Sequence, residues 1–185
     1  VEARRANPTD DLATVIANAM VDGNPIQELD QISYFIISAT AGHDTTSATT
    51  AGGMKALLDF PEQLAKLQAN PELANDAARE MIRWVSPVRH MVRTATEAVT
   101  LQGQIINAGE NLSLWYPSAN RDERAIENPE AFDLARDNRN QLAFGYGGHM
   151  CLGQHLAVLE VGIFFKELMS RIESIELAGE PQWVD

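Results

Sequence analysis

Position 151 holds the only cysteine of the chain, inside Phe144-Gly145-Tyr146-Gly147-Gly148-His149-Met150-Cys151-Leu152-Gly153. Glycines crowd the approach, a histidine lies two residues before it and an apolar, helix-like segment follows. Backbone N–H groups released by glycines and the start of a helix both favour the thiolate over the thiol. One protein thiolate cannot build a tetrahedral zinc site or an iron–sulfur cluster, which draw on several ligands. It can hold a haem iron, because the porphyrin supplies the other four donors. The plainer alternative is a buried free cysteine packed as a small hydrophobe. Gly145, Gly147 and Gly148 argue against it, since such flexible residues are costly in an ordinary core. A cysteine nucleophile paired with His149 or His155 is the rival chemistry, and it needs a Cys–His contact oriented by a third polar group. Gly145-x-Gly147 is not a nucleotide loop, because Met150 stands where the third glycine belongs.

A second constellation is Ala41-Gly42-His43-Asp44-Thr45-Thr46. Glycine and successive threonines are poor helix-interior residues, and threonine hydroxyls can bond back to carbonyls and bend a helix. A local kink or bulge is expected here, with an acid beside an alcohol that could pass it protons. A solvated aspartate at a helix break is the bland alternative. His43 has no second histidine four residues away and is not read as a metal ligand. A third constellation is Glu80 with Arg83, spaced to meet on one helix face. Such a pair on a surface contributes about 0–1 kcal/mol and is common.

These residues need elements to hold them. Thr9-Asp10-Asp11 reads as the start of a short helix to about Met20. Asp22-Gly23-Asn24-Pro25 reads as a turn. Ile32, Phe35, Ile36 and Ala39 have helical spacing in a long segment from about Ile26 to Asp59. Pro61 and Pro71 each open a further helix. The second carries Leu73, Ala77, Met81, Ile82 and Trp84 and stops at Ser86-Pro87. Val92, Thr94, Thr96, Val99, Thr100, Ile105 and Ile106 predict short strands and a hairpin punctuated by Gly103 and Asn107-Ala108-Gly109. Residues 117–143 look irregular, and so long a connection is expected to be a packed functional segment or to contain short helices. Leu152, Leu156, Leu159, Ile163 and Phe164 mark the apolar face of a last helix to about Arg171. The fold class is mainly α with a small β element.

The 185 residues are enough for one sizeable core, and the apolar share of 45% is ordinary for a globular chain. A net charge of −12 disfavours nucleic acid and anionic membrane surfaces. One cysteine makes no internal disulfide. The opening Val1-Glu2-Ala3-Arg4-Arg5 is charged with no apolar core behind it, which reads as no secretory signal, and apolar stretches are interrupted before spanning length. The expectation is a cytoplasmic protein.

Phe144, Gly147, His149, Cys151 and Gly153 fill every fixed position of Phe-x-x-Gly-x-(Arg/His)-x-Cys-x-Gly. The loop therefore resembles the haem-binding loop of the cytochrome P-450 family. The hexapeptide at 41–46 is similar to that family's oxygen-activation motif, (Ala/Gly)-Gly-x-(Asp/Glu)-Thr, and Glu80-x-x-Arg83 lies between the two as the family places it. The resemblance implies haem b, with Cys151 as axial ligand of the iron and Phe144, Gly145, His149 and Gly153 around the cofactor. Arg93, in Met91-Val92-Arg93-Thr94-Ala95, stands where the family has a propionate arginine. Asp44 and Thr45 become the proton relay. Phe132-Asp133-Leu134-Ala135-Arg136 resembles the segment that adds a third member to the Glu80–Arg83 pair, so Glu80, Arg83 and Arg136 form a buried structural network. Ile37, Ala41 and Val88, flanking the motifs, are expected to line the substrate pocket.

The activity implied is that of a haem-thiolate monooxygenase inserting one atom of O2 into a C–H bond of a small hydrophobic substrate. Its electrons come from a ferredoxin or other electron-transfer protein, with no nucleic acid and no membrane as partner. His149-Met150-Cys151-Leu152-Gly153-Gln154-His155-Leu156-Ala157 resembles bacterial terpene-hydroxylating members, hence a terpenoid-like substrate. The family's chains are roughly twice as long. Residues 1–185 are therefore expected to be a partial P-450 domain, its C-terminal half, with the N-terminal half and the last strands after Trp183 absent. A haem-binding or sensing module without turnover, and a fragment that binds no haem, are the alternatives. An intact Asp44-Thr45 pair argues against the sensor.

Overall fold

The computed structural model describes residues 1–182, so the expectation concerning the chain after Trp183 lies outside the described residues. Two compact units divide the chain, Val1–Asp44 and the residues from Thr45 onward.

In the first unit a short helix α1 (Glu2–Ala6) precedes α2 (Leu12–Asn18). Asp11 caps α2: its Oδ1 accepts the Thr14 N–H at 2.7 Å, and that bond, followed by one from the Thr9 hydroxyl, holds its carboxyl below the usual range. The expected turn at Asp22 is the tip of a tiny hairpin, β1 (Met20–Val21) against β2 (Asn24–Pro25). Asp22 and Gly23 both take left-handed backbone there, at φ 51° and 77°. The long helix α3 runs Glu28–Asp59.

The second unit carries the rest. Proline opens α4 (Pro61–Ala69), and Pro71 opens a 3-10 turn, Pro71–Leu73, that leads into α5 (Ala74–Val85). Strands β3 (His90–Thr94), β4 (Val99–Leu101), β5 (Gln104–Ile106) and β6 (Asn111–Trp115) follow. β4 and β5 form the expected hairpin, with Val99 opposite Ile106. The longer antiparallel pair is β3 with β6, placing His90 opposite Trp115 and Arg93 opposite Leu112. After α6 (Tyr116–Ala119) the chain is irregular until a 3-10 turn at Gly147–His149 and the last helix, α7 (Gln154–Met169).

The core of this unit lies between α5, α7 and the end of α3: Leu57, Ala77, Ala78, Met81, Val161 and Phe165 are all buried. Phe60, Trp84 and Phe132 close one side, with ring centroids 5.4–5.7 Å apart. Helices α3 and α5 approach closely because Gly52 and Gly53 lack side chains. A Cβ on Gly53 would stand 2.8 Å from Met81 Cγ, and one on Gly52 would stand 2.7 Å from a methyl of Val85. Overpacking of this kind costs about 1–3 kcal/mol. Gly53→Val is expected to lower stability by that amount in chemical denaturation.

One expectation is reversed. Leu152, Leu156, Leu159, Ile163 and Phe164, read as the face that meets the core, are exposed, Leu152 by 92%. The core is met by Val158, Val161, Gly162, Phe165 and Met169. α7 is apolar on both sides, so periodicity alone could not select the inner one.

Candidate functional site

The loop that carries Cys151 is built by backbone geometry. Gly145 (φ 73°) donates its N–H to Leu142 O at 2.8 Å, and Gly147 (φ 71°) starts the 3-10 turn. Both conformations favour glycine. A Cβ on Gly145 would also lie 3.4 Å from the Tyr116 hydroxyl. The Cys151 N–H closes the loop on Phe144 O at 2.8 Å, and Met150 N–H bonds Gly147 O at 3.0 Å. Phe144 packs against the core, while Tyr146, Met150, Cys151 and Leu152 are exposed. Gly153 caps α7 without a side-chain bond, and a Cβ there would only reach ordinary contact with Cys151 Sγ, at 3.9 Å.

The donor set fits haem. Among the described residues no three His, Cys, Asp or Glu side chains gather to hold a metal by themselves, and no histidine hydrogen-bonds to Cys151. That leaves one accessible sulfur amid Tyr146, Met150 and Leu152, with Leu156, Leu159 and Ile163 exposed on successive turns of α7. An apolar macrocycle that brings its own four donors suits such a surface. The thiol-hydrolase alternative needs a Cys–His pair that this geometry does not provide.

Arg93 projects from β3 to a cavity of about 560 Å³ whose walls include Leu114, Tyr116, Asp122, Gly145 and Tyr146. The structure thus brings Arg93 to the same cavity as the start of the cysteine loop. Its Nη1 donates to Val92 O at 2.9 Å. On the same wall the Asp122 carboxyl is held at a pKa of about 2, chiefly by hydrogen bonds from the Arg124 side chain. It remains a fixed negative charge at neutral pH. His149 is exposed at the end of the 3-10 turn.

The structure brings Glu80, Arg83 and Arg136 together in one network. Glu80 and Arg83 side chains are both 0% exposed. All five N–H donors of Arg83 are used. Nε and Nη2 each reach Glu80 at 2.8 Å, Nη1 meets Asn120 O at 2.8 Å and Pro129 O at 3.0 Å, and Nη2 also meets Ala131 O at 3.1 Å. Glu80 Oε1 further accepts the Asp133 N–H at 3.0 Å and Arg136 Nε at 3.2 Å. Arg136 continues to the carbonyls of Glu127, Asn128 and Ala131. The irregular segment is thereby wrapped around two guanidinium groups.

The hexapeptide 41–46 does not interrupt its helix: α3 stays α-helical throughout, with no 3-10 or π segment, where a kink or bulge was expected. Thr40 and Thr50 hydroxyls bond back to Ile36 O and Thr46 O at 2.9 and 2.8 Å, which satisfies the two side chains without ending the helix. Asp44 is 93% exposed, with His43 Nε2 at 3.8 Å, and Thr45 is half-buried. Of the pocket residues expected from flanking position, Ile37 and Ala41 are exposed and Val88 is half-buried.

Sequence reasoning missed Ser86, Asn120 and Gln63, all buried. Gln63 Oε1 accepts the Leu134 N–H at 3.2 Å, and Asn120 joins Ser86 to Leu142. None of the three stands in a periodic or spaced pattern. The only signal was the length of the irregular segment, which demanded interior partners for its backbone.

The family model for cytochrome P-450 matches residues 5–181. Cytochrome P-450-terp of Pseudomonas sp. is 45% identical over 98% of this chain and 42% of its own length. Linalool 8-monooxygenase of Pseudomonas putida is 37% identical over 97% of this chain and 44% of its own. The crystal structure of CYP108D1 from Novosphingobium aromaticivorans superposes with a TM-score of 0.92 at 49% identity, covering 97% of this chain and 44% of that one. The chain thus spans less than half the length of these relatives. Among the described residues no helix is long and apolar enough to cross a membrane. With the family model covering nearly all of it and the fold shared, the chain belongs to the cytochrome P-450 family, whose members bind haem b.

Proposed function

We propose that this chain supplies the iron-ligating and proton-handling residues of a haem-thiolate monooxygenase acting on a small hydrophobic, terpenoid-like substrate. The observation that carries the reading is Cys151: an accessible sulfur on a loop closed by the Cys151 N–H to Phe144 O bond, amid exposed apolar side chains. Cys151 would ligate the haem iron through its sulfur. Phe144, Gly145 and Gly153 shape the loop that would receive the macrocycle, and Arg93 and His149 would meet its carboxylates. Glu80, Arg83 and Arg136 brace the loop's support. Bound haem supplies reductive activation of O2 and transfer of one oxygen atom to a C–H bond, the other atom leaving as water.

The chain's own task is to orient substrate and deliver protons. Asp44 stands in water and can exchange protons with it, while its half-buried neighbour Thr45 carries a hydroxyl that can hand one inward. Ile37, Ala41 and Val88 are assigned to the substrate wall. A ferredoxin or a similar electron-transfer protein is assigned as reductant, and the cytoplasm as the compartment. The names of the relatives, P-450-terp and linalool 8-monooxygenase, favour a terpenoid among small hydrophobic substrates.

The test is reconstitution of the haem-loaded protein with a ferredoxin, its reductase and NADH. A hydroxylated terpenoid product is the expected result. Removing a positioned proton donor costs about 10²–10⁴-fold. Asp44→Asn and Thr45→Ala are therefore expected to lower product formation within that range, while the spectrum of the reduced carbon monoxide complex stays that of the parent. Full product formation by both variants would exclude the relay assignment.

A further inference from the structure

We propose that Asn120 is a positioning residue for Cys151, tying the entry of the cysteine loop to the C-terminal end of α5. The proposal rests on the reading of Cys151 as the haem ligand. Asn120 is 0% exposed and uses both ends of its side chain. Nδ2 donates to Ser86 Oγ at 2.8 Å, and Oδ1 accepts the Leu142 N–H at 2.7 Å. Ser86 is itself fixed. It is the left-handed cap of α5 (φ 45°), its N–H bonds Ile82 O at 2.9 Å, and its hydroxyl donates to Arg83 O at 2.8 Å. The Asn120 carbonyl accepts Arg83 Nη1 at 2.8 Å, so backbone and side chain of Asn120 are held by the same helix end.

From Leu142 the constraint passes directly to the loop. Leu142 O accepts the Gly145 N–H, which sets the left-handed turn, and Phe144 O then receives the Cys151 N–H. The path from the buried guanidinium of Arg83 to the residue that bears the sulfur is therefore hydrogen-bonded and, through Asn120, buried. Only a short amide serves at position 120. It must offer a donor to Ser86 and an acceptor to Leu142 at once; aspartate lacks the donor and leucine lacks both. Loss of the Oδ1 bond leaves the Leu142 N–H without its partner, and the loop relaxes toward placements in which sulfur is less well aimed.

The experiment compares the haem-loaded parent protein with Asn120→Leu, Ser86→Ala and Gly53→Val, reading the Soret band of each reduced carbon monoxide complex beside its thermal midpoint. Gly53→Val lies at the α3–α5 crossing and reports destabilisation alone. The parent is expected to show the strongly red-shifted band of thiolate-ligated iron. In Asn120→Leu the fraction lacking that shift is expected to rise about tenfold, and in Ser86→Ala about threefold, because Asn120 keeps Leu142 but loses its own anchor. Gly53→Val is expected to lower the midpoint and leave the band in place.

Should Asn120→Leu not take up haem, Ser86→Ala decides alone. A parental band in every variant that loads haem, or band losses that merely follow the midpoint in Gly53→Val as well, overturns the role of Asn120. A parent without the red-shifted band overturns the assignment of Cys151 itself, and the two failures are told apart by the parent spectrum.

Discussion

Replacing Cys151 with serine is expected to abolish the red-shifted Soret band of the reduced carbon monoxide complex and to reduce product formation to background. Serine keeps the size and the backbone of the residue. The Cys151 N–H to Phe144 O bond, which closes the loop, is made by the main chain and survives the exchange. The side chain is exposed, so the effect on folding is expected to stay within about ±0.5 kcal/mol. What is lost is the sulfur ligand. A serine hydroxyl does not ionise at neutral pH, and an alcohol oxygen lacks the electron donation that a thiolate gives to haem iron. The comparison therefore separates ligand chemistry from fold. The measurement is an absorption spectrum on folded, haem-loaded variant, with denaturation midpoints alongside. An unaltered band in a stably folded Cys151→Ser protein would falsify the assignment.

The parts of this molecule that were legible in its sequence are those fixed by local chemistry. Asp11 caps a helix because its carboxylate reaches the Thr14 N–H, whatever lies elsewhere. Pro61 and Pro71 open helical turns because they lose no hydrogen bond there. Gly145 and Gly147 mark left-handed turns that other residues take only with strain. Glu80 and Arg83 meet because the helix repeat brings them together. What escaped depends on partners distant in the chain. The inner face of α7 is chosen by α5, not by α7, whose exposed Leu156 and Leu159 are as apolar as its buried Val158 and Val161. β6 finds its register only against β3. Gly52 and Gly53 matter only because Val85 and Met81 of α5 lie where their side chains would be. Asn120 belongs to no spaced motif, because its partners Ser86 and Leu142 are each far from it in sequence. In the hexapeptide 41–46, residue types predicted a break, and α3 nonetheless stays α-helical across them as part of a 32-residue helix.

The second large effect is expected at Arg83, where even lysine should be damaging. Removing one member of a buried charge cluster typically costs about 3–5 kcal/mol, because the partner is left buried and uncompensated. Against a total stability of about 5–15 kcal/mol this is a large share. Here the cost has two sources. Glu80 would lose its bidentate partner in a site that water does not reach, and the carbonyls of Asn120 and Pro129 would lose the Arg83 donor, while Ala131 O would keep only that of Arg136. Lysine keeps the charge but brings three donors on a flexible stem in place of a planar fork of five, so at least two of these acceptors go unmet. Arg83→Lys is therefore expected to lose about 2–4 kcal/mol and Arg83→Ala about 3–5 kcal/mol. A triple apolar replacement of Glu80, Arg83 and Arg136 should not restore stability, unlike buried ion pairs that face only each other, because the backbone carbonyls remain. Burial also predicts insensitivity to salt: the loss should be the same at 0.1 M and about 1 M ionic strength, whereas exposed pairs weaken as screening shortens. Urea denaturation of the variants at both ionic strengths measures this. Arg83→Lys within about 1 kcal/mol of the parent, or a loss that fades in high salt, would show that the cluster acts as a screened surface pair and not as a buried brace.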